Sequence, residues 1–239
     1  MQVQELKPRE ERAARSSFLN FDLSSFRRAR IVAAYFAGCV LLLEGACVQL
    51  NKSYPEKQFY SLEVARTAAT ANPGTGHVLR VRRFVVAPQY EGRELVYRTG
   101  DLQFESDFYH EWFVQPGAVL TQQTLNWLAA SGIFQAVLDS GSRLDETLTL
   151  EGHVTALYGD YRDKSAPKAV LELRVRVIGE NESRPPILFH QDYRQAITVA
   201  DETPEALVKG LNEELQLILS LLEEDLRRVK LTANTSAKP

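Results

Sequence analysis

The residues of this chain that could do chemistry are few and dispersed. Its four histidines are His77, His110, His153 and His190. A zincin-type metal site needs two histidines one helical turn apart with a glutamate between them, and no His-Glu-x-x-His occurs. His110-Glu111 is followed by Trp112-Phe113 rather than a second ligand, and His153 stands in an alternating strand pattern that suits a packed or surface imidazole. A Gly-x-Ser-x-Gly nucleophile elbow is absent, and Ser140-Gly141-Ser142 reads as a turn. No P-loop or dinucleotide fingerprint is present. The neighbouring carboxylates Asp201-Glu202 and Glu223-Glu224 fall at a helix start and on a helix face, where solvated charge is the ordinary role. Carboxylates that meet only in space, as in glycosidases, leave no linear signature. The sequence therefore assigns no catalytic residue, no metal ligand and no cofactor.

The cysteines offer a different chemistry. Cys39 and Cys47 both lie in the first fifth of the chain. The rest has none, which excludes a disulfide framework or a Cys-ligated zinc in the folded body. Arg27, Arg28 and Arg30 precede an uncharged run, Ile31–Leu43, that ends at Glu44-Gly45-Ala46-Cys47. A membrane-spanning helix needs roughly 18 or more apolar residues, whereas a secretory signal has a basic segment, about 7–15 apolar residues and small residues before the cut. The run fits a signal better. Gly45-Ala46 before Cys47 resembles a bacterial lipobox, whose cysteine is acylated after cleavage. Glu44 stands where a lipobox usually has Leu. Phe36-Ala37-Gly38-Cys39 is an alternative site, though cleavage there leaves Val40–Leu43 as an exposed apolar tail. An uncleaved N-terminal anchor is the other reading. An Arg-, Glu- and Ser-rich extension precedes the signal-like segment.

The elements beyond it follow from composition and period. The chain has 239 residues, 44% apolar and 25% charged, so disorder and a multi-span membrane protein are excluded. Lys and Arg number 28 against 31 acids, a net charge of -3. No global basic field exists to hold nucleic acid. Residues 1–46 hold seven basic and five acidic side chains, so a chain cut before Cys47 carries 21 against 26, net -5. The segments expected are an extension and signal over 1–46, a tether over 47–58, one domain over 59–230 and a tail over 231–239.

Within that domain, period-two patterns predict strands at 59–64, 78–87, 133–138, 147–158, 169–178 and 187–199, with a hairpin of 94–98 and 102–104. A central helix is expected over 118–131, stopped by Gly132. A last helix is capped by Thr203 with Pro204 and Glu205 in its first turn. Its Val208, Leu211, Leu215, Ile218 and Leu222 follow a 3-4 spacing, widened by Leu207, Leu217, Leu219 and Leu221. That width favours packing on a sheet over a coiled coil. The fold class is α+β: a mixed, largely antiparallel sheet with two main helices on one face, a two-layer sandwich.

One stretch, Leu95–Phe113, is dense in aromatics: Tyr97, Phe104, Phe108, Tyr109, Trp112 and Phe113. Tyr and Trp are enriched at interfaces because they combine apolar area with a polar handle, but they are ordinary core residues too, and composition alone favours the core reading.

Together these residues resemble the ABC-type transport auxiliary lipoprotein family, envelope proteins that accompany MCE-domain lipid transporters. Phe59-Tyr60-Ser61-Leu62 is similar to the family's aromatic opening strand. Leu95-Val96-Tyr97-Arg98 resembles its Val-x-Arg segment, and Trp112-Phe113-Val114-Gln115-Pro116 its Pro-terminated link into the first helix. Leu128–Phe134 and Ala136-Val137 fit the pattern that follows. The resemblance runs from about Cys47 to near Lys230. It implies a lipoprotein anchored by acyl chains on Cys47 (Cys39 the alternative), facing the periplasm, usually from the outer membrane. It implies an MCE-domain partner and phospholipid as cargo, with Tyr97, Arg98, Tyr109 and Trp112 as partner-binding residues. The reading that competes is an envelope hydrolase or sugar-active enzyme on a similar fold, or an independent lipid carrier.

Overall fold

The computed structural model describes residues 55–66, 74–180, 185–229 and 231, all within a unit spanning 55–239. Cys39, Cys47, the signal-like run, most of the tether and the 232–239 tail lie outside the described residues. The elements, in order, are β1 (Gln58–Tyr60), β2 (Val78–Val81), β3 (Val85–Val86), a 3-10 turn (Pro88–Tyr90), β4 (Glu94–Arg98) and β5 (Phe104–Trp112). Then come α1 (Pro116–Ser131), β6 (Ala136–Leu138), β7 (Leu148–Asp160), β8 (Lys168–Gly179), β9 (Ile187–Thr198) and α2 (Pro204–Arg228). This is the expected α+β architecture, a curled mixed sheet with two helices packed on it.

The long antiparallel meander β7-β8-β9 is the spine. In β8 the alternation is clean: Ala169, Leu171, Leu173, Val175 and Val177 are buried, while Glu172, Arg174 and Arg176 point away. In β7, Thr155 is an extra residue opposite the Leu173–Glu172 step. This bulge moves the inward set from Leu148, Leu150 and Val154 to Leu157 and Gly159. The other edge of β7 is served in turn, all parallel, by β2 at Leu148–Leu150, β3 at His153-Val154 and β4 at Gly159-Asp160. β6 pairs with the outer side of β2, β5 with β4, and β1 with β5.

The single strand expected over 78–87 is thus two, broken at Arg82-Arg83-Phe84. The break lets Phe84 (3% exposed) turn inward, while Arg82 N–H and Ala87 N–H still donate to Leu150 O and Val154 O at 3.0 and 2.9 Å. Gly152 makes room for it: a Cβ there would lie 2.5 Å from the Phe84 ring. Gly152→Ala is expected to destabilise by about 2 kcal/mol through overpacking, read as a lower urea midpoint at unchanged m. The first strand is also shorter than expected, because β5 offers it a parallel partner only over His110–Trp112. β6 starts at 136 because Ile133 and Phe134 drop into the core directly after Gly132, which ends α1 at φ 70°.

α2 begins as its sequence predicts, with Thr203 Oγ1 accepting from Ala206 N–H at 3.3 Å. Its Leu211, Leu215, Ile218 and Leu222 are essentially inaccessible and pack on β8 and β9. Burying side chains of this size contributes roughly 2 kcal/mol each. Leu217, expected on the same apolar face, is 41% exposed and sits beyond its margin. Gly210 lets the helix approach the sheet, since a Cβ would fall 2.6 Å from Val199 and 2.8 Å from Ala169.

Glu223 is not the solvated surface acid its sequence suggests. Arg66 Nε and Nη2 donate to its two oxygens at 2.9 and 2.8 Å, Trp127 Nε1 at 2.9 Å and Arg227 Nη2 at 2.8 Å. Burial alone would raise its pKa, but the two guanidiniums outweigh it and hold the carboxyl below its usual range. One carboxylate thereby joins α1, α2 and the chain after β1. No helix among the described residues is long and apolar enough to cross a membrane.

Candidate docking surface

The aromatic-dense segment becomes the β4–β5 hairpin and the outer end of the sheet. The register pairs Arg98 with Phe104, Tyr97 with Glu105 and Val96 with Ser106, then jumps to Glu94 with Glu111. β5 therefore carries three more residues than β4 across the jump, and Asp107 organises them. Its Oδ1 accepts from Tyr109 N–H and His110 N–H at 2.9 and 3.1 Å, an Asx-type turn inside a strand. Its Oδ2 accepts from the Tyr97 hydroxyl at 2.8 Å and lies 2.7 Å from His110 Nδ1. Burial would raise the Asp107 pKa, yet these donors outweigh it and hold the carboxyl below its ordinary value. Burial and the bond to Asp107 push the Tyr97 phenol up, so it stays protonated as the donor. The Tyr60 hydroxyl donates to Glu205 at 2.6 Å, and its ring meets His110 at 6.1 Å. Together these contacts tie β1, β4, β5 and the start of α2.

The bulge holds Phe108, and exposed rings from β1 and from the residue after β5 lie on the same outer part of the sheet. Phe108 is 67% exposed, Phe113 66% and Phe59 49%, with Val114 beside them. Phe59 and Phe113 meet edge-on at 6.3 Å, and Phe108 meets Tyr109 edge-on at 5.2 Å. Cations rim the rings: Lys57 Nζ lies 4.4 Å from the Phe108 centroid and the Arg93 guanidinium 5.3 Å from that of Phe59. Both cations also pair with Glu111, which is nearly buried. Exposed aromatics gathered along an edge, with a polar rim, are the anatomy of a contact surface.

The residues expected to bind a partner fall in different places. Tyr109 is half-buried on this edge. Tyr97 is half-buried behind it, stacked on Tyr161 at 5.2 Å. Arg98 closes the hairpin turn, donating to Gly100 O at 3.3 Å and Asp101 O at 2.7 Å, with its head 5.6 Å from the Phe104 ring. Trp112 is 3% exposed and belongs to the core. At that exposure its ring offers a partner almost no surface, and its backbone N–H donates to Arg93 O at 2.6 Å within the sheet. Phe59, Phe108 and Phe113 take the surface positions, and nothing in their local sequence separates them from the aromatics that are buried. The Asp107 turn that contains Phe108 had a local signal, an Asp two and three residues before the amides it accepts from.

Among the described residues, no group of three His, Cys, Asp or Glu side chains is arranged to hold a metal. Asp201 caps the α2 start by accepting from Thr203 N–H at 2.9 Å, a structural role.

Fold and edge together define a small α+β domain with an exposed aromatic edge. A family model for the ABC-type transport auxiliary lipoprotein component matches residues 60–220. The chain belongs to that family, which is one of auxiliary transport components associated with ABC-type systems rather than of enzymes. Protein XCC0632 from Xanthomonas campestris shares its fold at a TM-score of 0.62 and 18% identity, over 71% of this chain and 95% of its own. A second solved structure, of an uncharacterized protein, does so at 0.56 and 16% identity, over 72% and 99%. No curated protein matches the chain significantly.

Proposed function

We propose that this protein is a lipid-anchored auxiliary component that faces the periplasm, held through acyl chains on Cys47 in the outer membrane. It docks through the Phe59–Phe108–Phe113 edge onto the MCE-domain component of its transport system and supports phospholipid movement across the envelope. The exposed aromatic edge is the observation that carries the docking reading. Phe59, on the first strand, follows the tether in the chain, and the β4–β5 hairpin and the residue after it add Phe108 and Phe113. The mechanism is mechanical. Acyl chains fix one end, the tether gives reach, and confinement raises the effective concentration of a modest docking surface. Aromatic rings suit that surface because they bury large area with little side-chain entropy to lose.

The test is co-purification of full-length protein with the MCE-domain component from detergent-solubilised envelopes. Phe108→Glu with Phe113→Glu is expected to reduce capture at least tenfold while leaving the fold and the membrane attachment unchanged. Both rings are largely exposed, so the change costs the free protein little. Undiminished capture would remove the edge from the docking reading.

A further inference from the structure

The face of the sheet turned away from the helices carries a second feature, distinct in residues from the aromatic edge. A cavity of about 420 Å3 is lined by Arg82, Arg83, Arg174, Arg176, His153 and Glu151. The strand period puts them there. Glu151 and His153 alternate with the inward Leu150, Gly152 and Val154, and Arg174 and Arg176 alternate with Leu173, Val175 and Val177. The register sets Glu151 opposite Arg176 and His153 opposite Arg174. Arg82 and Arg83 come from the break between β2 and β3, so the same turn that sends Phe84 inward brings two guanidiniums to the rim.

The charge of this cavity is not balanced from within. Arg82 pairs with Glu151 at 3.3 Å, and Arg174 pairs with Asp192 through contacts of 2.8 and 3.3 Å. Arg83 donates to the neutral Gln115 at 2.7 Å and makes no ion pair among the described residues. Arg176 makes no ion pair among the described residues. Its neighbour in register on β9, His190, lies 3.9 Å from Asp192 and adds no acid of its own. Two uncompensated guanidiniums therefore share a concave site in a chain whose net charge is negative. Like charges held together repel, and a bound anion relieves that repulsion. Guanidinium forks match tetrahedral oxyanions, which accept two parallel N–H bonds. The cavity falls within the size range of small-molecule sites and is far larger than one phosphate needs. Val85 at its rim is 63% exposed and offers an apolar ledge beside the cations.

We infer that this cavity binds a phosphate ester, with Arg83 and Arg176 contacting its oxyanion. The surplus volume and the Val85 ledge favour the phosphodiester of a glycerophospholipid headgroup as the source, with free phosphate the smaller ligand of the same chemistry. The inference stands apart from the docking edge, since no residue is shared between them.

Calorimetric titration of the full-length protein in nonionic detergent tests it, using glycerophosphoglycerol and inorganic phosphate as probes. Glycerophosphoglycerol is expected to bind at least fivefold more tightly than phosphate. Arg83→Gln with Arg176→Gln is expected to weaken both at least tenfold with an unchanged circular dichroism spectrum, because both side chains lie at the surface. Equal or tighter binding of phosphate, also lost in the double variant, would keep the oxyanion site and assign it to free phosphate. Binding of neither probe, or binding that survives the double variant, would overturn the inference. So would a glutamate decapeptide that binds where neither phosphate compound does, since the groove would then serve an acidic protein segment.

Discussion

Replacing Cys47 with serine is expected to move the protein almost entirely from the membrane to the soluble fraction. The acyl anchor is built on the cysteine Sγ, and a serine hydroxyl at the same position does not take its place. Each buried methylene contributes roughly 0.8 kcal/mol, so an anchor of two or more chains holds far more firmly than the folded domain's surface could alone. Among the domain's described residues no helix is long and apolar enough to span a bilayer. Envelope fractionation with and without high salt is the measurement, with Cys39→Ser as the parallel variant. Release by Cys47→Ser alone assigns the anchor. Release by Cys39→Ser alone moves it eight residues upstream. Retention of both variants would favour an uncleaved apolar anchor over Ile31–Leu43 and would remove acylation from the reading. In every case the docking edge begins within a few residues of the tether, so loss of the anchor should also lower partner capture from native envelopes while leaving capture in detergent unchanged.

Much of the domain was legible because its signals are local. Thr203-Pro204-Glu205 starts α2 and Gly132 ends α1 where elementary capping rules put them, and the alternation of Ala169–Ile178 already names the two faces of β8. What escaped depends on contacts between distant residues. Nothing in Val78–Ala87 marks a break, since Arg82-Arg83-Phe84 continues a plausible strand. The break exists because Gly152, 68 residues beyond Phe84, leaves a hollow for its ring. Thr155 likewise reads as one more alternating residue, although as a bulge it reverses which positions of β7 face the helices. The aromatic stretch shows the same division. Its composition favours the core, and the structure divides it: Trp112 is buried and Tyr97 half-buried, while Phe108 and Phe113 face out. The arginine groove has no linear signature, because its guanidiniums come from two segments separated by about ninety residues.

Glu214 is the residue where sequence and structure together make the largest stability prediction. Its position between Leu211, Leu215 and Ile218 places it on the apolar face of α2, and it is inaccessible to solvent. The reason for a carboxyl there is β9, an edge strand whose outer N–H groups need acceptors where α2 covers them. Glu214 Oε1 accepts from Ile197 N–H at 2.9 Å, while Oε2 has no partner among the described residues. Burial pushes the carboxyl up to about 8, only partly countered by the Ile197 bond. The folded protein therefore keeps this proton over a range in which the unfolded chain has already released it. From the ordinary value of 4.5 upward, each pH unit favours the unfolded state by roughly 1.4 kcal/mol, until the folded carboxyl ionises near pH 8. The full interval would amount to about 5 kcal/mol, and relaxation around the ionised group reduces this to about 3 kcal/mol. Glu214→Gln keeps the acceptor for Ile197 and cannot ionise. Its urea midpoint should match the parent at pH 5 and exceed it at pH 9 by the equivalent of about 3 kcal/mol. Parallel midpoints across that range would mean that the carboxyl titrates normally and that β9 is held without it.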